Sequence, residues 1–248
     1  MLPAERREQI LRAVRSGTTQ VSELAAAFGV SDMTVRRDLS DLERGGKLTR
    51  VHGGAVGVTQ ERPFAEIAVE RFEQKDAIGA LAASTIEEGQ TVILDVGTTT
   101  LQVARHLRGR SLSVITSNLA VYEELLPEES IELVLLGGVV RRNYRSLVGM
   151  LAEDALRQLR ADVAFLGASG VEDDLGVVDT TMVEVPIKRA MMAAAARSVL
   201  LVDSAKFEMR GVVRVCQADA LDALVSDSGI PKRARAALQR AGVEVLVA

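Results

Sequence analysis

The run Asp95-Val96-Gly97-Thr98-Thr99-Thr100 places a carboxylate, a glycine and three hydroxyls side by side. An apolar stretch leads into it and a helical pattern follows, so Gly97 stands where a strand turns into a helix. Free backbone N–H groups, the hydroxyls and the helix dipole favour a phosphate or carboxylate at such a point. An ordinary capped turn uses the same residues, so the motif needs company. Other apolar runs end comparably: in Ser117-Asn118, in Gly137-Gly138 with Arg141-Arg142 beyond, in Gly167-Ala168-Ser169-Gly170, and in Asp203-Ser204-Ala205-Lys206-Phe207. Small polar groups and a lysine converging on one place suit a hydroxylated anionic ligand. Glu184 and Lys188 are spaced i, i+4, which serves either a mutual surface pair or a shared site.

A second concentration of chemistry lies near the start. Ser31 and Asp32 offer a cap for a helix whose apolar positions Val35, Leu39 and Leu42 form one stripe. That stripe leaves Thr34, Arg36 and Arg37 outward, near the helix start. After Gly45-Gly46, the alternating stretch Lys47 to Gly54 carries Lys47, Arg50 and His52 and reads as a β-ribbon. Two helices precede, with Ile10, Leu11 and Val14 in one and Val21, Leu24, Ala25 and Phe28 in the other, ending at Gly17 and Gly29. Three helices and a ribbon are the layout of a winged helix-turn-helix, whose recognition helix enters the major groove. Arginine there can bond guanine and threonine can meet a thymine methyl, while the ribbon cations suit phosphates. The helix pattern alone also allows Arg36 and Arg37 to be a solvated face.

The ligand residues need a larger frame. Residues 1–57 form the first domain, the polar, proline-ended stretch 58–63 a linker, and 64–248 an α/β domain. A helical stretch from Phe64 to Ile86 leads into strand-like runs at Thr91–Asp95, Leu112–Thr116, Ile131–Leu136, Val163–Leu166 and Val199–Val202. Helical segments around 101–107, 119–126, 151–159 and 183–197 alternate with them, and the Ala/Met run 190–196 fills helix packing. That alternation predicts a mostly parallel sheet with covering helices, whose ligands gather at the strand carboxyl ends.

Composition narrows the functional classes. The chain has 248 residues, 48% of them hydrophobic, enough for a sizeable core. Residues 1–57 hold nine Lys+Arg against seven Asp+Glu, and the remainder 21 against 27, the asymmetry nucleic-acid binding favours. A single cysteine, Cys216, fits a reducing compartment, and the absence of a long apolar run or leader-like start predicts a cytoplasmic protein without membrane contact. With only His52 and His106, neither a histidine-rich metal site nor a histidine triad is expected, and no cofactor is implied. An isomerase would need a carboxylate base; Asp95, Asp179, Glu184 and Asp203 are candidates, but no second motif singles one out, so no catalytic residue is expected. A non-specific nucleoid protein would bind with strong salt dependence and little sequence choice.

The run Val30-Ser31-Asp32-Met33-Thr34-Val35-Arg36-Arg37-Asp38-Leu39, with Leu42-Glu43, Gly46 and Leu48-Thr49-Arg50-Val51-His52-Gly53-Gly54-Ala55, resembles the signature of the DeoR family of bacterial sugar-metabolism regulators. The resemblance continues through the Asp95, Thr116-Ser117-Asn118, Leu136-Gly137-Gly138, Gly167 and Asp203 motifs. It implies that Arg36 and Arg37 engage double-stranded operator DNA with Ser31 and Thr34 near the groove, while Asp38 orients an arginine. It also implies a sensor domain similar to the sugar-phosphate isomerase and CoA-transferase fold, with a phosphorylated sugar as effector. Asp95 and Asn118 would bind hydroxyls, and Thr98 to Thr100 with Lys206 the phosphate. Ala205 stands where the family often has serine, and Gln74 where glutamate commonly precedes Lys75. The resulting expectation is a repressor, at least dimeric because paired half-sites are read by paired domains.

Overall fold

Helices α1 (Pro3–Arg15), α2 (Val21–Phe28) and α3 (Asp32–Arg44) pack around Ile10, Leu24, Val35 and Leu39, all essentially inaccessible. The computed structural model describes residues 3–15, 19–44, 49–51, 54–56 and 62–248. α2 ends because Gly29 takes a left-handed φ of 62°, and the Val30 N–H then bonds Ala25 O at 3.1 Å. α3 starts on the Ser31 hydroxyl, which accepts the Thr34 N–H at 3.3 Å. Strands β1 (Thr19–Gln20), β2 (Thr49–Val51) and β3 (Gly54–Val56) form an antiparallel sheet in the order β1-β3-β2. The expected ribbon is therefore joined by a third short strand from between the first two helices. The chain separates into two compact units, Met1–Arg62 and Pro63–Ala248.

In the larger unit, α4 (Phe64–Val69) and α5 (Phe72–Ser84) precede β4 (Thr91–Leu94), α6 (Thr98–His106), β5 (Leu112–Thr116), α7 (Leu119–Leu125) and β6 (Ile131–Leu135). The hairpin β7 (Val139–Arg141) and β8 (Ser146–Val148) leads to α8 (Met150–Gln158) and β9 (Ala161–Gly167). Then come β10 (Gly170–Val171), β11 (Gly176–Asp179), α9 (Val185–Ala194), β12 (Ala195–Leu201), β13 (Val213–Gln217), β14 (Ala223–Ser226), α10 (Lys232–Arg240) and β15 (Glu244–Val247).

Seven strands make one parallel sheet, ordered β15-β14-β12-β9-β4-β5-β6. Alternate residues serve two cores, as the period of a strand requires. Ile93, Ile115 and Leu200 pack with Leu156 of α8, Ile187 of α9 and Leu238 of α10. Val92, Val114 and Phe165 pack with Ile78 of α5, Val103 of α6 and Val121 of α7. α5 and α6 come so close that a Cβ on Gly79 would lie 2.5 Å from Gln102 Cβ.

Two expectations need correction. The helical stretch 64–86 is two helices, broken where Arg71 adopts a left-handed φ of 49°. No glycine or proline marks that break; Arg71 is held there by long-range partners. The helix expected over 183–197 stops at Ala194, and Ala195 to Arg197 belong to β12, where Ala195 pairs with Ala161. Pairing in the central sheet overrides the helical propensity of alanine.

Candidate functional site

On the smaller unit, α3 presents Arg36 and Arg37 to solvent, with Met33 80% exposed one turn earlier. The Ser31 and Thr34 hydroxyls lie 2.9 Å apart and fix the start of the helix. Asp38 is buried and accepts Arg6 Nε at 2.6 Å and Arg7 Nε at 3.0 Å, while Arg7 also reaches Asp41. Arg6, Arg7, Met33, Thr34 and Arg37 consequently line one depression beside the helix start. Sequence reasoning gave Asp38 an arginine to orient but missed that both belong to α1, since only packing of α1 on α3 brings them there. Arg50 lies on β2, and Lys47 and His52 lie outside the described residues.

In the larger unit, the strand order reverses beside β4: β5 and β6 extend to one side, and the chain then crosses to β9 on the other. The carboxyl ends of β4 and β9 thus flank a topological switch point, where open α/β sheets leave a crevice. Asp95 ends β4 there and is completely buried. Its Oδ2 accepts the Gly167 N–H at 2.9 Å and a bond from Lys188 Nζ, which also donates to Gly167 O at 2.9 Å. Asp179 lies 3.6 Å from the same ammonium and its Oδ1 accepts from Ser169 Oγ and the Thr181 N–H.

Glu184 is equally buried, but its partners are Arg141 and Ser146 Oγ, the latter at 2.8 Å. The mutual Glu184–Lys188 surface pair that the spacing allowed is therefore replaced by two separate, buried attachments. Burial pushes the Asp95 carboxyl upward against the pull of Lys188, and pushes Glu184 upward against Lys188, Ser146 and Arg141. Burial opposes the Lys188 charge too, yet Asp95, Asp179 and Glu184 outweigh it and hold its pKa above the ordinary lysine value. Among the described residues, four buried side-chain oxygens have no hydrogen-bond partner: Asp95 Oδ1, Ser117 Oγ, Glu184 Oε2 and Ser226 Oγ. All but Glu184 sit at or just past a strand carboxyl end.

The flanking motifs divide between positioning and presentation. Thr100 Oγ1 donates to the carbonyls of Asp95 and Gly97 at 2.7 and 2.9 Å and locks the turn. Thr98 and Thr99 form the first turn of α6 beside it, where N–H groups have no intrahelical acceptor. Asn118 is saturated: its Oδ1 caps α7 through the Ala120 and Val121 N–H groups, and its Nδ2 reaches the carbonyls of Gly97 and Asp95. Gly138 permits the hairpin to approach, because a Cβ there would meet Val148 O at 2.6 Å; Gly137 abuts Leu151. Lys206 lies in a separate cluster after β12, its ammonium 3.8 Å from Met209 Sδ. In that cluster Asp203 accepts the Ala205 N–H and Arg71 Nε, and Arg71 donates to Ser204 Oγ at 2.8 Å. Sequence reading named the Asp95, Gly167, Glu184 and Lys188 group. It did not select Ser117 as a ligand residue or foresee Arg71 and Ser226, whose placement depends on the sheet order.

Comparison with known proteins agrees with this two-unit plan. The family model described as the DeoR-like helix-turn-helix domain matches residues 6–61, and that of the DeoR C terminal sensor domain matches 70–228. A putative aga operon transcriptional repressor of Escherichia coli O157:H7 is 35% identical, over 98% of this chain and 93% of its own. The glycerol-3-phosphate regulon repressor of Escherichia coli strain K12 is 31% identical over 93% of each chain. The larger unit is similar to ribose 5-phosphate isomerase A from Methanocaldococcus jannaschii, at 19% identity and a TM-score of 0.42 over 56% of this chain and 55% of that one. With both models matched and full-length relatives above 30% identity, the chain belongs to the DeoR family of transcriptional regulators.

Proposed function

We propose that this protein is a cytoplasmic repressor of carbohydrate-metabolism genes that binds operator DNA as at least a dimer and releases it when a phosphorylated sugar occupies the switch-point crevice. The observation that carries the effector class is the pair of buried, unpartnered carboxylate oxygens, Asp95 Oδ1 and Glu184 Oε2, on side chains that both act on Lys188. Orphaned acceptors of this kind call for donors, and sugar hydroxyls are donors. The first-turn N–H groups of α6 at Thr98 and Thr99 supply the complementary anion site, with Lys206 as a further cation from the neighbouring cluster. A relative named for the glycerol-3-phosphate regulon supports a phosphorylated class.

In this reading Arg36, Arg37 and Thr34 read the major groove, Ser31 sets the helix start, and Lys47, Arg50 and His52 contact phosphates. Asn118, Gly137 and Gly138 shape the crevice, and Gly97, Gly167, Thr100 and Arg141 position its walls. The protein is a receptor and not a catalyst: Lys188 engages Asp95, and Glu184 is tied to Arg141 and Ser146.

The test is thermal unfolding against a panel of phosphorylated and unphosphorylated sugars, with turnover followed in the same samples. A ligand at about 100 times its dissociation constant stabilises by about 2.7 kcal/mol. A phosphate-dependent shift that Lys206→Ala weakens supports the effector class; a panel without any shift rejects it. Conversion of a sugar phosphate would instead establish an enzyme.

A further inference from the structure

Apolar side chains crowd one edge of the larger unit. β6 is the outermost strand of the parallel sheet, and beyond its end the chain forms the β7–β8 hairpin and the start of α8. Val139, Val140, Met150, Leu151, Met182 and Val183 are each between 50% and 71% exposed. Three contacts gather them. Val139 pairs with Val148, two residues before Met150. Leu151 Cβ lies 4.0 Å from where a Cβ on Gly137 would stand. Arg141, next to Val140, is ion-paired with Glu184, next to Val183.

The strand pattern marks this edge as uncovered on purpose. In a strand covered on one face, alternate residues are buried, yet Val139 and Val140 are adjacent and both exposed, whereas Ser146, Leu147 and Val148 of the partner strand are all buried. β7 pairs only with β8 among the described strands, so its other edge presents backbone donors and acceptors for a further strand.

We propose that this face is a self-association surface and that its occupant is a second copy of the same chain. The six side chains expose roughly 600 Å² of apolar area together, at the upper end of what a monomer's largest patch shows and close to the ~800 Å² per partner of a stable interface. A second copy related by a twofold axis can lay its own β7 antiparallel to this one, covering both apolar sets and pairing both free edges in one contact. The same face adjoins the effector crevice through one side chain: Glu184 carries an unpartnered oxygen and also holds Arg141 and Ser146 of the hairpin. The inference deepens the reading above, resting on it only in expecting two copies to act together.

Sedimentation of the full chain, without ligand or DNA, tests it. Wild type is expected to be dimeric or larger at micromolar concentration, and Val140→Glu and Met182→Glu are each expected to weaken association at least 100-fold while keeping the wild-type melting curve. Val69→Glu, which charges an exposed apolar residue of α4, is expected to leave association unchanged. A monomeric wild type, or face variants that associate as wild type does, overturns the proposal. Should the charged variants fail to fold, Val140→Cys in a Cys216→Ser background decides: cross-linking of two copies by a short bis-maleimide supports the face, and none rejects it. Because no effector is present, an error in the ligand class does not affect the result, and a dimer that survives both charges sinks the face but not the repressor.

Discussion

Asp38 and Lys75 are two buried charges with opposite surroundings, and each gives a measurable consequence. The Asp38 carboxylate holds two arginines of α1 at 2.6 and 3.0 Å, one of them, Arg6, itself nearly buried. Asp38→Ala leaves Arg6 uncompensated, and removing one partner of a buried pair costs about 3 kcal/mol; chemical unfolding of the full chain followed in the smaller unit should show that loss. Lys75, by contrast, donates to the Ile67 carbonyl at 2.6 Å. Burial, with Lys206 and Arg71 adding to it against Asp203 and Glu70, lowers its pKa from 10.5 to about 8. Between those values the unfolded chain binds the extra proton, so stability rises with pH across pH 8 to 10.5 and this contribution is flat below. The stability difference between wild type and Lys75→Met should change in wild type's favour across that window; a pH-independent difference would show the lysine is not perturbed. At this scale the sequence exposed side chains that follow an apolar run, such as Asp95 and Lys206, because a strand end is a local event. It could not expose Arg6, Arg7 or Ser226, whose partners lie in other elements.

The elements show the same limit. The parallel strands β4, β5, β6, β9 and β12 were legible because buried strands are near-continuous apolar runs, whereas β14 and β15 are four-residue strands that short patterns cannot separate from helix. The break at Arg71 carried no glycine or proline to announce it. Its side chain reaches Asp203, Ser204 and, at 3.5 Å, Asp227 on the far side of the chain's sequence, so tertiary contacts hold a φ that local sterics disfavour. Two substitutions separate those effects. Arg71→Ala and Arg71→Gly both lose the ion pairs, but only alanine keeps the backbone penalty of a left-handed residue. The glycine variant is therefore expected to be more stable than the alanine variant by about 1 kcal/mol, read from paired denaturant curves; the reverse order would mean the break straightens once the guanidinium is gone.

For the whole molecule, the two units carry different chemistry, and regulation requires a free-energy coupling between them. The DNA-facing helix α3 belongs to Met1–Arg62 and the crevice to Pro63–Ala248, so no residue of the proposed ligand site also touches DNA. Sequence patterning reached this division through the change from helix-and-ribbon to strand-and-helix alternation, but the coupling depends on how ligand redistributes states of the assembly, which no local pattern encodes. Thermodynamics still constrains it. If a sugar phosphate weakens operator binding by some factor, the operator must weaken sugar-phosphate binding by that same factor. A ligand that bound both arrangements equally would release nothing, however tight its binding. Titrating the effector into free protein and into protein saturated with a short operator duplex, at one salt concentration, should give dissociation constants whose ratio equals the operator-affinity change measured from the other side. Typical couplings of 1–3 kcal/mol make that ratio roughly 5- to 150-fold. Equal effector affinities with and without operator would show that the crevice and α3 act independently, whatever the crevice binds.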